Sequence, residues 1–392
     1  MSVWDELVGQ DRVVEILRRA VAGDAHSMTH AWLVTGPPGS GRSNAARAFA
    51  AALQCVQGGC GECNACRTSL SGAHPDVTLV RTEQLSIGVE EARGLARKAS
   101  MRPTMGRHQV LVVEDADRVT ERGADALLKS IEEPGERTVW LLCAPTAEDV
   151  IATIRSRCRQ VRLATPSDEA VAALLVRRDG VDPPLAAYAA RAAQGHIGRA
   201  RALARDESVR NRRAEVLRIP GALVSVGECL RAADLLVKST AEDAERATAD
   251  VSARERAALN EALGFGTKGA RPRNTQAAIK ELEDEQKARV KRSQRDALDR
   301  ILSEFTSWYR DVLALQTSAI GPGAKGTGIN ATGPNLINPD LRAGLESAAR
   351  SASPEATLRR IDAILACREA LETNVAPLLA VEALLLNLAD PG

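Results

Sequence analysis

Four closely spaced cysteines are the residues of this sequence that point most plainly to chemistry. They stand in CVQGGCGECNAC with the spacing C-x4-C-x2-C-x2-C, at Cys55, Cys60, Cys63 and Cys66. Four thiolates satisfy the tetrahedral preference of structural zinc and leave no coordination position open for a substrate. An iron–sulfur cluster also takes four cysteines, but compact CxxC turns favour zinc. We therefore predict a structural Zn²⁺ site.

A glycine-rich segment, TGPPGSGRSN at residues 35–44, has the spacing of a P-loop. In such a loop, backbone N–H groups close around phosphates at the N-terminus of the following helix, so ATP or ADP is the expected ligand. Arg42 stands in place of the usual lysine, and its planar fork does not fit the space of a compact ammonium. A glycine-rich turn can also be purely structural. The candidate cradle residues are Gly36, Pro37, Pro38, Gly39, Ser40, Gly41, Arg42 and Ser43.

A pair of carboxylates, Glu114 and Asp115, follows a second apolar run, QVLVV. The usual order for a magnesium-dependent site is Asp then Glu, with a hydroxyl such as that of Ser43 on the metal side. Here the longer side chain takes the metal position, and a misplacement of about 1 Å can cost about 100-fold in rate. An ordinary acidic strand end is the plainer alternative. We predict a degenerate nucleotide site that does not hydrolyse ATP efficiently.

The elements that position these residues are indicated by apolar runs alternating with helical patterns. Near-continuous apolar strands between helices are typical of a parallel sheet covered on both faces. We therefore predict an α/β domain of P-loop type over residues 1–165. Its expected strands are AWLVT (31–35), VTLVR (77–81), QVLVVE (109–114), TVWLLC (138–143) and QVRL (160–163).

The remainder of the sequence is predicted to be helical. A charge-rich segment at about 250–298 reads as a solvated helix flanked by a flexible GFGTKGARPRNT segment. A Gly/Asn/Pro-rich loop is expected from about 318 to 339. Apolar periodicity predicts helices from Pro166 to about 215, a helix pair over 222–247, and helices over about 340–350, 354–371 and 373–390.

Composition limits the classes of protein that fit. A chain of 392 residues exceeds one ordinary core, so two or three domains are expected. With a net charge of +1 and only 4 Trp, 2 Tyr and 3 Phe, the chain is a poor candidate for stacking single-stranded nucleic acid. The N-terminus lacks the apolar core of a signal peptide, and no run reaches about 18 apolar residues, so we expect a cytoplasmic protein. The cysteines outside the cluster, expected to be reduced and buried, are Cys143, Cys158, Cys229 and Cys367.

The segment TIRSRC ends in Ser156, Arg157 and Cys158, just before the last predicted strand. A lone arginine there is ordinarily part of a surface ion pair, but its context changes that interpretation. The chain resembles the AAA+ clamp-loader subunits of bacterial DNA polymerase III over about its first 200 residues. Besides the cysteine cluster, the segments that carry the resemblance are VWDELVGQDRVVEILRRAV (3–21), GPPGSGRS (36–43), HPDV (74–77), ALLKSIEEP (126–134), TIRSRC (153–158) and GHIGRARAL (195–203).

The resemblance implies a stator subunit and not a motor subunit. In that family, motor subunits bind and hydrolyse ATP, whereas the stator supports their assembly. The departures from the motor pattern are Arg42 for the P-loop lysine, the inverted Glu114-Asp115 pair, Ala144-Pro145 for a threonine after the strand, and Gly198, beside Arg199, for the lid arginine. Four altered catalytic positions together agree with a nucleotide cradle that has lost its catalysis.

The same resemblance implies a role for Arg157 in trans. It would reach the ATP site of the neighbouring motor subunit as an arginine finger, with Ser156 fixing the turn and Cys158 packing inward. The implied architecture adds a helical lid at 166–215 and a helical, oligomerising collar at 216–392. The implied partners are motor subunits (gamma/tau), a delta subunit, the sliding clamp (beta) and primed DNA through the complex. Two rival functions stay open: an active motor ATPase, and a zinc-containing DNA-binding module.

Overall fold

The computed structural model describes residues 2–24, 27–82, 86–262, 275–318, 335–373 and 375–389. The chain divides into two compact units, Met1–Asp206 and Glu207–Gly392. All but the last residue of the predicted flexible segment GFGTKGARPRNT lies outside the described residues, as do residues 319–334 of the predicted loop. In the described part of the chain, no helix is both long and apolar enough to cross a bilayer.

The first unit contains a five-stranded sheet whose neighbouring strands are all parallel, in the order β2-β3-β4-β1-β5. β1, β3 and β4 are buried at every position, which explains why they read as continuous apolar runs. Each predicted strand is present, to within a residue at either end. The strands are β1 (Ala31–Thr35), β2 (Val77–Val80), β3 (Gln109–Val113), β4 (Thr138–Ala144) and β5 (Arg159–Arg162).

Helices cover both faces of this sheet. On one face, Trp32 of β1 meets Phe49 edge to face, with ring centroids 5.2 Å apart. On the other face, Leu33 and Leu111 join a separate buried cluster with Leu127. The predicted α/β class is therefore confirmed. The helices of this unit are α1 (Asp11–Ala22), α2 (Arg42–Gln54), α3 (Asn64–Ser71), α4 (Val89–Ala99), α5 (Glu121–Glu132), α6 (Ala152–Arg155), α7 (Asp168–Asp179), α8 (Pro183–Ala193) and α9 (Ile197–Arg205).

Asp76 of the HPDV motif organises the loop that leads into β3. Its carboxylate accepts hydrogen bonds from the N–H groups of Thr104 at 2.7 Å and Met105 at 2.8 Å, and from the Thr104 hydroxyl at 2.8 Å. The N–H of Gly106 donates to the same carboxylate at 2.5 Å. Burial acts to raise the pKa of Asp76, but the hydrogen bonds from Thr104, Gly106 and Met105 outweigh it and hold the pKa at about 2. An ionised Asp76 therefore fixes the loop from within.

The second unit is all-helical. The prediction of a helix pair over 222–247 was wrong, because one continuous helix spans Val226–Ala262. No glycine or proline interrupts residues 228–262, so nothing in the backbone ends the helix within that range. The helices are α10 (Glu207–Ala222), α11 (Val226–Ala262), α12 (Thr275–Ser318), α13 (Arg342–Ser351), α14 (Pro354–Glu372) and α15 (Pro377–Ala389).

The core of the second unit forms around the C-terminal half of α12, where Phe305, Trp308 and Val312 are buried. A buried carboxylate, Asp311, interrupts this apolar surface. It accepts hydrogen bonds from the backbone N–H groups of Ile337 at 2.9 Å and Asn338 at 2.7 Å, and from Asn338 Nδ2 at 2.9 Å. These bonds fasten the segment before α13 to α12.

Residues 241–262 of α11 and 275–297 of α12 form a helical hairpin, called the arm below. The two helices of the arm meet along a polar seam. Arg289 forms a bidentate pair with Glu255, with distances of 2.9 and 2.7 Å, and Gln286 Nε2 donates to the carbonyl oxygen of Ser252 at 3.0 Å. The described residues of the arm carry most of the charge-rich segment predicted at about 250–298, so polar residues there pair the helices where a coiled coil would use large apolar ones.

Candidate functional sites

The four predicted metal ligands lie together. All four Sγ atoms are within 4.8 Å of one another, and the Sγ of Cys55 lies 3.7 Å from those of both Cys60 and Cys63. Zn–S bonds of about 2.3 Å in a regular tetrahedron place sulfur atoms about 3.8 Å apart. The cysteine geometry therefore fits a four-coordinate zinc ion, with Cys66 as the fourth ligand.

Backbone N–H groups surround these sulfur atoms. The N–H of Gln57 donates to Cys55 Sγ at 3.3 Å, that of Cys63 to Cys60 Sγ at 3.4 Å, and that of Cys66 to Cys63 Sγ at 3.4 Å. Burial acts to raise the pKa of Cys55, but N–H groups including that of Gln57 lower it to about 6. Similar hydrogen bonds from the backbone N–H groups of Cys63 and Glu62 lower the pKa of Cys60. At Cys55 and Cys60 the loop thus favours the thiolate form that metal binding requires, whereas burial raises the pKa of Cys66.

The N-terminal residues pack directly on the cysteine loop. The N–H of Val3 and the hydroxyl of Ser2 donate to the carbonyl oxygen of Gly59 at 3.1 and 3.0 Å, and Trp4 Nε1 donates to Gly58 at 3.1 Å. Gly59 has φ +107°, and a Cβ there would lie 2.7 Å from Val3, so the close approach requires glycine. The cysteine loop is therefore built into the domain and is well suited to a structural role.

The P-loop has the expected place between β1 and α2, but Arg42 turns back onto it. Arg42 Nη1 donates to the carbonyl oxygen of Gly36 at 2.7 Å. Burial lowers the pKa of Arg42, and nearby carboxylates including Asp117 and Asp115 oppose that effect. The half-buried guanidinium is thus held against the loop that it would have to leave open for phosphate.

Glycine allows the P-loop backbone to turn, and a residue of the predicted lid packs on it. The backbone of Gly41, which precedes α2, adopts the left-handed conformation, with φ +94°. A Cβ on Gly39 would lie 2.2 Å from the ring of His196, and the N–H of Ile197 donates to the carbonyl oxygen of Gly39 at 3.4 Å. Ser40 is buried, and its Oγ has no hydrogen-bond partner within the described residues. Pro37 and Pro38 are exposed and Ser43 is half-buried.

Glu114 is engaged by a residue that the sequence reasoning missed. Arg47 Nε and Nη2 both lie 2.7 Å from Glu114 Oε1, and the Glu114 side chain is only 8% exposed. Arg47 follows Ser43 by one helical turn on α2, so it lies on the same helix face. The four-residue spacing between Ser43 and Arg47 is the sequence signal that could have placed Arg47 near Glu114. The guanidinium neutralises the carboxylate that stands in the metal position.

Arg157 lies at the other end of the sheet from the P-loop. β1 and β5 pair in parallel, with Trp32 opposite Arg159, so Arg157 precedes the amino ends of both strands. Gly36 follows the carboxyl end of β1. At about 3.3 Å per strand residue, about 15–20 Å separates the two sites, which is more than an arginine side chain spans. Arg157 therefore cannot reach the P-loop of its own chain.

The Ser156-Arg157-Cys158 turn is held by local contacts. Ser156 Oγ donates to the carbonyl oxygen of Thr153 at 3.0 Å, and Arg157 Nη1 donates to the same oxygen at 2.7 Å. Arg157 Nη2 forms an ion pair with Glu132 at the end of α5, a partner that the sequence did not indicate. Cys158 packs against the apolar cluster of one sheet face, and burial raises its pKa to about 12.

Sequence comparison relates the first unit to subunits of DNA polymerase III. The family described as DNA polymerase III, delta subunit, matches residues 9–167. The Bacillus subtilis DNA polymerase III subunit delta' is 29% identical over 220 residues, covering 55% of this chain and 66% of the relative. Over these residues, the chain is similar to subunits of DNA polymerase III.

Other relatives are gamma/tau subunits of DNA polymerase III. The Mycobacterium tuberculosis DNA polymerase III subunit gamma/tau is 36% identical over 177 residues, covering 44% of this chain but only 30% of the relative. The chain thus spans less than a third of the gamma/tau relative. A gamma subunit-related protein from Thermotoga maritima aligns with 96% of this chain and 98% of its own, at 15% identity and a TM-score of 0.39.

Proposed function

We propose that this chain is the delta-prime type of stator subunit in a DNA polymerase III sliding-clamp loader, and that Arg157 acts as an arginine finger in trans. The observation that carries the proposal is the position of Arg157 at the end of the sheet opposite the P-loop of its own chain. An arginine that cannot serve its own nucleotide site, yet is 37% exposed, is suited to the site of a neighbour.

The state of the P-loop supports a non-catalytic role for this chain. Arg42 donates to Gly36 within the loop, and Arg47 neutralises Glu114, so two of the groups that hydrolysis needs are engaged inside the chain. A guanidinium on the loop also occupies space that a lysine ammonium would leave to phosphate. We therefore expect negligible ATP hydrolysis by the chain alone, whether or not the loop holds ATP or ADP.

The proposed subunit also has a structural zinc ion, a lid, a collar and several partner proteins. Structural Zn²⁺ would be held by the cysteine cluster, whose sulfur spacing fits it. Residues 166–215 would form a lid and 216–392 an oligomerising collar. The partners would be gamma/tau motor subunits, a delta subunit and the beta clamp, acting on primed DNA in the cytoplasmic replisome.

Reconstitution with the motor and delta subunits tests the arginine finger. We expect Arg157→Ala to leave assembly on gel filtration unchanged and to slow DNA- and clamp-stimulated ATP hydrolysis, by about 10³-fold or more at the single site facing this chain. Arg157→Lys should fail too, because a point charge does not reproduce the bidentate fork. Arg155, two residues away and bonded to the Ala147 carbonyl oxygen at 3.2 Å, is the matched control as Arg155→Lys. Clamp loading at the wild-type rate by the Arg157→Ala complex would refute the proposal.

The match to a gamma/tau subunit favours a second candidate, an active motor ATPase. The purified chain distinguishes the two. A motor would turn over ATP in the ordinary enzyme range of about 1 s⁻¹ or more, whereas the stator would not. Arg42→Lys alone should not restore turnover in a stator, because Glu114 stays paired with Arg47. Turnover after that single substitution would favour the motor.

A further inference from the structure

Both terminal nitrogens of the Arg157 guanidinium are engaged within its own domain. Nη1 donates to the carbonyl oxygen of Thr153 at 2.7 Å and to Ser156 Oγ at 3.2 Å. Nη2 pairs with the carboxylate of Glu132, which is the last residue of α5. The two nitrogens that would grip a phosphate are therefore already bonded, and the side chain lies along α6 and does not point away from the domain.

The end of α5 provides a reason why Arg157 rests there. Carbonyl groups at a helix C-terminus carry partial negative charge, and Glu132 and Glu133 add two carboxylates at the same place. Only Lys129 brings a positive charge within the last turn of the helix. A cation such as the Arg157 guanidinium is attracted to this position by both the carboxylates and the helix end.

The pair is exposed enough to be exchanged. The side chains of Arg157 and Glu132 are 37% and 43% exposed. Ion pairs with that exposure stabilise a conformation only weakly, because water screens both charges. An incoming phosphate with more than one negative charge can therefore compete with a single carboxylate for the same guanidinium.

We propose that Glu132 is a positioning residue that parks Arg157 against its own domain until a phosphate at the neighbouring subunit's site replaces the carboxylate. This inference rests on the proposed function. It assigns to the chain a control on nucleotide binding at an interface site, since the binding-competent fraction of Arg157 is reduced by the parked fraction. Glu132 would thus set how much ATP is needed before the arginine finger engages.

The test is a comparison of Glu132→Gln with Glu133→Gln in the reconstituted complex. Glu133 is the next residue at the same helix end, and its carboxylate makes no ion pair in the described part of the chain. We expect Glu132→Gln to lower the ATP concentration for half-maximal hydrolysis by about two- to fivefold, with the maximal rate within about twofold of wild type. Glu133→Gln should change neither quantity.

The same substitutions in an Arg157→Ala background distinguish the proposed holding of Arg157 by Glu132 from a purely structural role of Glu132. Glu132→Gln should then have no effect, because no arginine remains to release. A shift that persists without Arg157, or a raised ATP requirement, would overturn the inference. If Arg157→Ala slows the complex but Glu132→Gln leaves the ATP requirement unchanged, the proposed role of Glu132 is refuted and the arginine finger stands. If Arg157→Ala itself has no effect, the proposed function fails.

Side-chain ¹⁵N NMR of the isolated chain gives an independent reading. Wild type and Glu133→Gln should show slow rotation and distinct Nη signals for Arg157, because both Nη groups are bonded. Glu132→Gln should average those signals. Averaged signals in the wild-type chain would show that Arg157 is not held by Glu132. That result would refute the inference from the isolated chain alone.

Discussion

Arg47 on α2 contacts Glu114 at the end of β3 through two nitrogens, Nε and Nη2, each 2.7 Å from the same carboxylate oxygen. The pair joins the P-loop helix to the strand that would carry a metal ligand. The contact is a structural one, with the Glu114 side chain buried and that of Arg47 one third exposed.

Replacing Arg47 should destabilise the first unit. Arg47→Met keeps the length of the side chain but leaves the Glu114 carboxylate buried without its partner. We expect a loss of about 1–3 kcal/mol in the free energy of unfolding, less than for a fully buried pair. Adding Glu114→Gln should recover much of that loss, because the unpaired charge is gone. Urea unfolding of the three proteins measures this, and an unchanged Arg47→Met midpoint would show that the pair contributes nothing.

Zinc content should depend on the cysteine cluster alone. We expect about one zinc per chain by elemental analysis of protein purified under reducing conditions, and less after Cys63→Ser. Because structural zinc binding is coupled to folding, a chelator should also lower the melting temperature. Cys229→Ala, at a buried cysteine of the second unit, should leave the zinc content unchanged. Metal-free wild-type protein would contradict the prediction.

Asp76 should make stability depend on pH in the acid range. Its pKa of about 2 in the folded protein lies below the value of about 3.9 for an unfolded chain, so its stabilisation is present above pH 4 and is lost as the pH falls from about 4 towards 2. The shift corresponds to about 2–3 kcal/mol at neutral pH.

Asp76→Asn should therefore lower stability at pH 7 by a similar amount and flatten its dependence on pH below 4. The exposed Asp125 provides the control as Asp125→Asn. Urea unfolding at several pH values tests this, and equal pH profiles for wild type and Asp76→Asn would contradict it.

The buried pair of Asp311 and Asn338 should stabilise the second unit. Asn338→Ala removes the Nδ2 donor that lies 2.9 Å from the fully buried Asp311 carboxylate. The backbone N–H groups of Ile337 and Asn338 still donate to the carboxylate, but the loss of one hydrogen bond to a buried charge should cost about 1–3 kcal/mol. Trp308, which lies on α12 in the same core, offers a fluorescence signal once the other tryptophans are replaced by phenylalanine. Asp340→Ala, on the exposed side of the same segment, is the control.

Much of the fold follows from local pattern. β1, β3 and β4 could be predicted because strands buried on both faces leave continuous apolar runs, and the cysteines could be grouped because their spacing alone keeps them close. The break predicted in α11 was wrong because helix-forming residues continue through it without a glycine or proline. Long-range pairings were harder. Glu132 and Arg157 lie in different elements, and only the packing of α5 on α6 brings them together.

Unlike a separately attached domain, the arm shares helix α12 with the core of the second unit. α12 contains 44 residues and is therefore about 66 Å long, of which about 35 Å belongs to the arm and the rest is built into the core around Phe305 and Trp308. A continuous helix transmits rotation along its length, so a tilt of about 5° at its buried half displaces the far end by about 3 Å. The arm is thus a mechanical lever, and a spectroscopic label on it would magnify small rearrangements of the core into distances that can be measured.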